Sequence, residues 1–213
     1  MKFTKKQMII SLCGCLIPLV PGLILWNRLP DRIATHFNFQ GEPDGYMSKP
    51  MAVLAIPLFL LIMDIFMIII TNSDPKNHDQ SRKMYSLVTW IMPAVGLMAC
   101  FGIYPRALGY NINTTDMARI FMGLLFMIIG NYIPKCRPSY TIGIKLPWTL
   151  ASEENWTRTH RMAGPVWVAG GLLTVILGFI PGVPGWTLFA ILMAVALIPS
   201  VYSYILYKRS EEK

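Results

Sequence analysis

Two histidines in this 213-residue chain stand beside acids and aromatics at spacings that suit chemistry. His36 precedes Phe37, and Asp44 and Tyr46 follow across a turn-rich stretch, residues 40–45. His160 lies four residues after Trp156, so both share one helix face, and Arg161 follows directly. Each histidine has carboxylates in reach of an acid–base reading, Asp31 or Asp44 for His36 and Glu153 for His160. Neither has a nucleophile or a metal-ligand set beside it. The chain lacks H-E-x-x-H, G-x-S-x-G, a phosphate loop and C-x-x-C. Cysteines 13, 15, 100 and 136 show neither zinc spacing nor a disulfide framework, and Cys136 is expected to be cytoplasmic and reduced. The chain therefore reads as a non-enzyme with no cofactor and no metal. Its candidates are binding residues: His36, Phe37, Asp44 and Tyr46 in one group, and Lys145, Trp148, Trp156, His160 and Arg161 in another.

Asp64 is a third candidate. It sits in the run Leu-Leu-Ile-Met-Asp-Ile-Phe-Met. A carboxylate in hydrocarbon costs about 2.5–3.5 kcal/mol even on the mildest scale, so it should face a partner or hold a proton. Asp64 and Asn131 both lie about 14 residues into spans that start on the same side, which makes Asn131 the expected partner, whereas Arg119 is too shallow by roughly 18 Å of helix rise. One reading is a proton- or cation-linked site. The favoured one is a single interhelical hydrogen bond of ~0.6–2 kcal/mol.

The elements that position these residues are membrane helices. The chain is 54% hydrophobic and only 14% charged, with a mean hydropathy of +0.48. Soluble domains carry about 25% charge. Six apolar runs, residues 8–26, 51–71, 85–104, 117–133, 162–180 and 186–207, have the roughly 18–22 residues needed to cross ~30 Å of hydrocarbon. A spanning segment must satisfy its own backbone, so each run is expected to be helical. The fold class is thus an all-α polytopic membrane protein with six transmembrane helices. Prolines 18, 21, 57, 93 and 199 fall inside spans and should kink them or free carbonyls for neighbours. The N-terminal lysines before an apolar stretch resemble a signal peptide, but the run continues past Cys15 to Trp26 without a small-residue cleavage site, which favours a span.

Six spans put both termini and the second and fourth loops on one side. That side holds fourteen lysines and arginines, Lys213 among them, against five on the other. The positive-inside rule places both termini in the cytoplasm. The net charge of +8 follows from this asymmetry and fits contact with anionic lipid, with no direct nucleic-acid partner implied. The first loop, residues 27–50, is then extracytoplasmic. Its alternation puts Ile33, Thr35, Phe37 and Phe39 on one face, and residues 40–45 read as a turn, so a short β-hairpin or compact cap is expected. The fourth loop, residues 134–161, is cytoplasmic and amphipathic. Ser152 with Glu153 and Glu154 should open a short helix closed by Arg161, with the fifth span beginning at Met162. Bland roles stand beside the binding ones. Trp148 and Trp156 also suit headgroup anchors, Arg158 and Arg161 suit lipid phosphate, and His160 suits a pair with Glu153.

Two long gapped patterns carry a resemblance. Leu29-Pro30, Ile33, His36-Phe37, Gly41, Asp44-Gly45-Tyr46 and Ser48-Lys49 resemble the extracytoplasmic motif of a bacterial membrane domain of unknown function. Gly130-Asn131, Pro134-Lys135, Pro138, Tyr140, Gly143-Ile144-Lys145, Pro147-Trp148-Thr149-Leu150, Ser152, Trp156, Thr159-His160-Arg161 and Gly164 resemble the signature of the SdpI family. The resemblance divides the chain into residues 1–116, with three spans and the outer loop, and residues 117–213, with three spans and the inner loop. It implies an immunity and signalling role: protection against a secreted antimicrobial peptide toxin, and a cytoplasmic transcriptional repressor held at the membrane. The outer group would then bind toxin and the inner group the cytoplasmic partner. A small transporter or flippase of a peptide or lipid is the alternative, drawing on the span prolines, Gly170-Gly171 and Asp64. A membrane enzyme is a more remote one.

Overall fold

A computed structural model describes residues 2–76 and 80–211, so Lys213 of the charge count lies outside the described residues. Six helical spans are long and apolar enough to cross a membrane: Lys5–Ile24, Met51–Ser73, Arg82–Ala107, Thr114–Lys135, Glu153–Gly178 and Trp186–Glu211. Their outward side chains include Phe59, Ile62, Phe66, Leu124, Ile128 and Phe189, whereas Ser11, Thr89, Thr174 and Ser203 are buried. Lipid as solvent explains that inversion, because hydrocarbon outside gives apolar side chains no reason to hide.

The first span is two helices, α1 (Lys5–Cys15) and α2 (Leu19–Ile24). Thr4 caps α1 and pairs reciprocally with Gln7. The break falls at Pro18, whose carbonyl accepts from the Tyr104 hydroxyl at 3.2 Å. A proline carbonyl is thus handed to a neighbour, as its position in a span requires. The loop that follows forms β1 (Arg32–Phe37) and β2 (Pro43–Ser48), an antiparallel hairpin. A π-wound turn, Met51–Ala55, leads into α3 (Ile56–Ser73). Then come α4 (Arg82–Ala107), α5 (Thr114–Tyr132), the short α6 (Pro147–Ala151), α7 (Glu153–Gly178) and α8 (Trp186–Glu211).

The helices pack as two groups of three, α1–α3–α4 and α5–α7–α8, with α4 against α5 between them. The closest pair is α5 with α7. A Cβ on Gly123 would stand 2.6 Å from the Gly171 carbonyl, and one on Gly130 would stand 3.0 Å from that of Gly164. Absent side chains let the backbones touch, and dispersion then replaces the hydrophobic drive that lipid removes.

Three expectations are corrected. The short helix and the fifth span are one continuous helix, α7, because nothing after Ser152 interrupts the backbone until Gly178. In the hairpin, register shifts on either side of His36 break the simple alternation. The turn is residues 38–42, with Gly41 at φ +80° and Asn38 Oδ1 accepting from the Gln40 and Glu42 amides at 3.0 and 2.9 Å. Finally, Asp64 does not meet Asn131. Asp64 is buried in the first group of helices against Ser11, whose hydroxyl donates to the Thr89 carbonyl at 2.9 Å. Asn131 is exposed. Equal depth was not enough: one residue turns a helix by about 100°, and the buried face of α5 belongs to Gly130.

Candidate functional site

The molecule presents two polar constructions, one on each membrane face. On the hairpin face, Leu29 and Ile33 are 3% and 0% exposed and pack with Val53, Ile103 and Tyr104. They anchor the hairpin to the π-wound turn and α4. Beyond that anchor several side chains of the hairpin are exposed. His36 Nδ1 lies 2.5 Å from Asp44 Oδ1 across the strands, and the His36 side chain is 74% exposed. Tyr46 is exposed with the Arg32 guanidinium 5.9 Å from its ring. Phe37 is half-buried. The hairpin tip reaches the other helical group, where a Cβ on Gly185 would collide with the Phe39 carbonyl. Arg119 holds that receiving loop. It is buried, paired with Asp116, and donates to the Val183 carbonyl at 2.7 Å. Below the tip lies an apolar groove of about 370 Å³, lined by Phe37, Phe39, Ala118, Leu188, Phe189 and Leu192 among others.

On the terminus-bearing face, residues 136–152 fold onto the ends of the helices. Asp74 is the centre. Its Oδ2 accepts from Ser139 Oγ at 2.7 Å, the Tyr140 and Thr141 amides at 2.8 and 3.0 Å, and Thr141 Oγ1 at 2.9 Å. Its Oδ1 accepts from the Lys76 amide at 2.9 Å. Burial pushes this carboxyl up, but the Ser139, Lys76, Thr141 and Tyr140 hydrogen bonds outweigh it and hold Asp74 below the ordinary range. Gln80 extends the arrangement. It donates to the Arg137 carbonyl and accepts from the Arg137 amide. Cys136 is a free, buried thiol, and desolvation, only partly offset by Gln80, pushes it up to about 12.

Trp156 and His160 are each 0% exposed. Their rings stack at 4.1 Å. Trp156 Nε1 donates to the Cys136 carbonyl at 2.8 Å. The Ile144 amide donates to His160 Nε2 at 2.9 Å, so Nε2 carries the lone pair. The other nitrogen, Nδ1, is then the N–H and donates to the Trp156 carbonyl at 2.8 Å. His160 is thus neutral, and it does not pair with Glu153. Gly143, at φ +115°, lies over both rings: a Cβ there would stand 2.6 Å from His160 Nε2 and 2.8 Å from Trp156. Trp148 Nε1 donates to Ser203 Oγ at 2.8 Å, and Asn155 Nδ2 donates to the Ser203 carbonyl at 2.9 Å, which ties the loop to α8.

The structure therefore splits the inner group. Trp156 and His160 are interior and offer nothing to a partner, and Trp148 is half-buried against Tyr204 and Tyr207. Lys145 and Arg161 remain exposed. Near them, Arg158, Arg209, Ser152 and Ser210 line a groove of about 570 Å³ between α7 and α8. Asp74, Gln80, Ser139 and Ser203 escaped the sequence reading. Asp74 and Ser139 are 65 residues apart, and no local pattern joins them. Among the described residues, no group of three or more His, Cys, Asp or Glu could hold a metal ion.

Six spans in two groups of three, an anchored hairpin on one face and a hydrogen-bonded loop on the other define a multi-pass membrane protein with two differentiated faces. Residues 135–203 match the SdpI/YfhL protein family, and residues 13–61 match a domain of unknown function, DUF1648. Over 205 residues the chain is 26% identical to the immunity protein SdpI of Bacillus subtilis (strain 168), covering 96% of this chain and 97% of that one. No solved structure matches. The chain thus resembles the SdpI family, over residues 135–203 by family and over nearly its full length by this relative, and it is a multi-pass protein of the bacterial cytoplasmic membrane.

Proposed function

We propose that this chain is a membrane immunity and signal-transduction protein that protects its cell against a secreted antimicrobial peptide toxin. Both termini lie in the cytoplasm on this reading, following the lysine and arginine bias, and the hairpin faces the side from which a toxin arrives. The observation that carries the proposal is the hairpin itself. Its base is buried to the last ångström at Ile33, yet its His36–Asp44 pair and Tyr46 are held outward, unused by the fold. A rigid strand pair presenting an aromatic and a polar pair is a low-entropy binding surface. Phe37 lines the adjoining groove. On the opposite face, Lys145, Arg158, Arg161 and Arg209 supply a cationic surface suited to an acidic patch on a cytoplasmic repressor. Trp148, Trp156 and His160 serve that surface by holding its backbone.

One observation favours a second reading. Asp64 Oδ2 is buried without a hydrogen-bond partner, an arrangement a proton-coupled transporter or flippase would use. The test is survival of a toxin-sensitive strain that expresses the chain, with membrane potential followed in parallel. Immunity by interception predicts protection in the parent and in Asp64→Asn, and loss of protection in His36→Ala at equal membrane abundance. Protection abolished by Asp64→Asn or by an uncoupler would sink interception in favour of transport. A well-expressed parent that gives no protection would end the immunity reading for that toxin.

A further inference from the structure

A groove of about 450 Å³ opens between α4 and α5, on the seam where the two groups of helices meet. It is lined by Arg82, Lys83, Ser86, Trp90, Ile128 and Tyr132 among others. Its chemistry is graded along the helix axes. Arg82 and Lys83 open α4 at the terminus-bearing face and are exposed. Lys135 ends the antiparallel span at the same level, exposed, with its ammonium 5.2 Å from the Tyr132 ring. Among the described residues no carboxylate pairs with any of these three cations. Ser86 accepts from Gln7 Nε2 at 3.2 Å, which leaves its own proton free to donate. Trp90 lies eight residues, about 12 Å, deeper along α4, and Ile128 lies seven residues, about 10 Å, above Lys135 on α5. Both are about half exposed.

The geometry points to a bound anionic phospholipid from the leaflet on the terminus-bearing side. Its phosphate would meet Arg82, Lys83 and the Ser86 hydroxyl, with Lys135 across the groove. One acyl chain would run down past Trp90 and Ile128. A phosphate at one end and hydrocarbon 10–12 Å deeper is what a lipid offers, and what a soluble protein or free phosphate does not. A lipid held there touches both helical groups, so it would brace the α4–α5 seam. This inference stands apart from the immunity reading and survives its failure.

The test uses the purified full chain in neutral detergent, titrated with phosphatidylglycerol or phosphatidylcholine. Bound lipid is counted by native mass spectrometry and the thermal midpoint recorded. Phosphatidylglycerol should bind in preference and raise the midpoint. Arg82→Gln with Lys83→Gln should weaken that binding by about tenfold or more, since each surface cation contributes on the order of a factor of five. Lys5→Gln with Lys6→Gln, on the same face outside the groove, should leave it unchanged. A phosphatidylglycerol with brominated chains should quench tryptophan emission in the parent, and Trp90→Phe should remove most of that loss. Equal weakening by both charge pairs, equal binding of phosphatidylcholine, the same midpoint shift from inorganic phosphate alone, or quenching unchanged in Trp90→Phe would each overturn the site.

Discussion

His36, on strand β1 of the hairpin, is 74% exposed in its side chain, whereas His160, on helix α7, is 0% exposed. Each has an aromatic neighbour and a polar partner. The difference lies in what the partner is. His36 faces a carboxylate across a two-stranded hairpin, in water, where such a pair contributes little to folding. His160 has both nitrogens committed to backbone groups, the Trp156 carbonyl of its own helix and the Ile144 amide of the loop folded over it, and the Trp156 ring fills the space beside it. The fold can dispense with the first and not with the second. Residues that a fold does not use are the ones left for a ligand.

This contrast can be broken by mutation, beginning at the terminus-bearing face. Asp74→Ala should have the largest effect, about 3–5 kcal/mol, because it strands several buried donors at once. Thermal unfolding in detergent, with trypsin cleavage after Arg137 as a local probe, would measure it. The same residue sets a pH dependence. Its folded-state value lies below the unfolded value of about 3.9, so its stabilisation is complete above that value and drains away as pH falls below it. Asp74→Asn should flatten that acid-side decline, and an unchanged decline would show that another group controls it. Gly143→Ala comes next, at about 2–4 kcal/mol, since its φ is wrong for a side chain and the methyl strikes His160 and Trp156. Tryptophan emission should shift to the red as the stack opens.

His160→Phe keeps the ring but removes the acceptor for the Ile144 amide, and should cost about 1–3 kcal/mol. A neutral result there would mean that the stack, not the hydrogen bonds, holds the loop. At the small end, His36→Ala should change stability by less than about 1 kcal/mol while abolishing protection. A large stability loss would erase the distinction between the two faces.

The six spans, the hairpin and the Ser152 cap were legible in the sequence, because each rests on short-range physics. Apolar length sets a span, a β-prone run before turn-forming residues marks a hairpin even though its register and turn position are set elsewhere, and a serine before two glutamates sets a helix start. The inner group was half legible. Lys145 and Arg161 are exposed as expected, whereas Trp156 and His160 turned inward. Amphipathic spacing says that two side chains share a face, not what that face meets. The charge count and the apolar periods were determined by the residues alone, since they depend only on what each side chain prefers as solvent. Tertiary structure alone decided that Asp64 meets Ser11 and not Asn131, that Asp74 gathers a loop 65 residues away, and that Gly143 covers the Trp156–His160 stack. Those outcomes turn on helix rotation and on long-range closure of polar groups, and neither has a period or a composition to read.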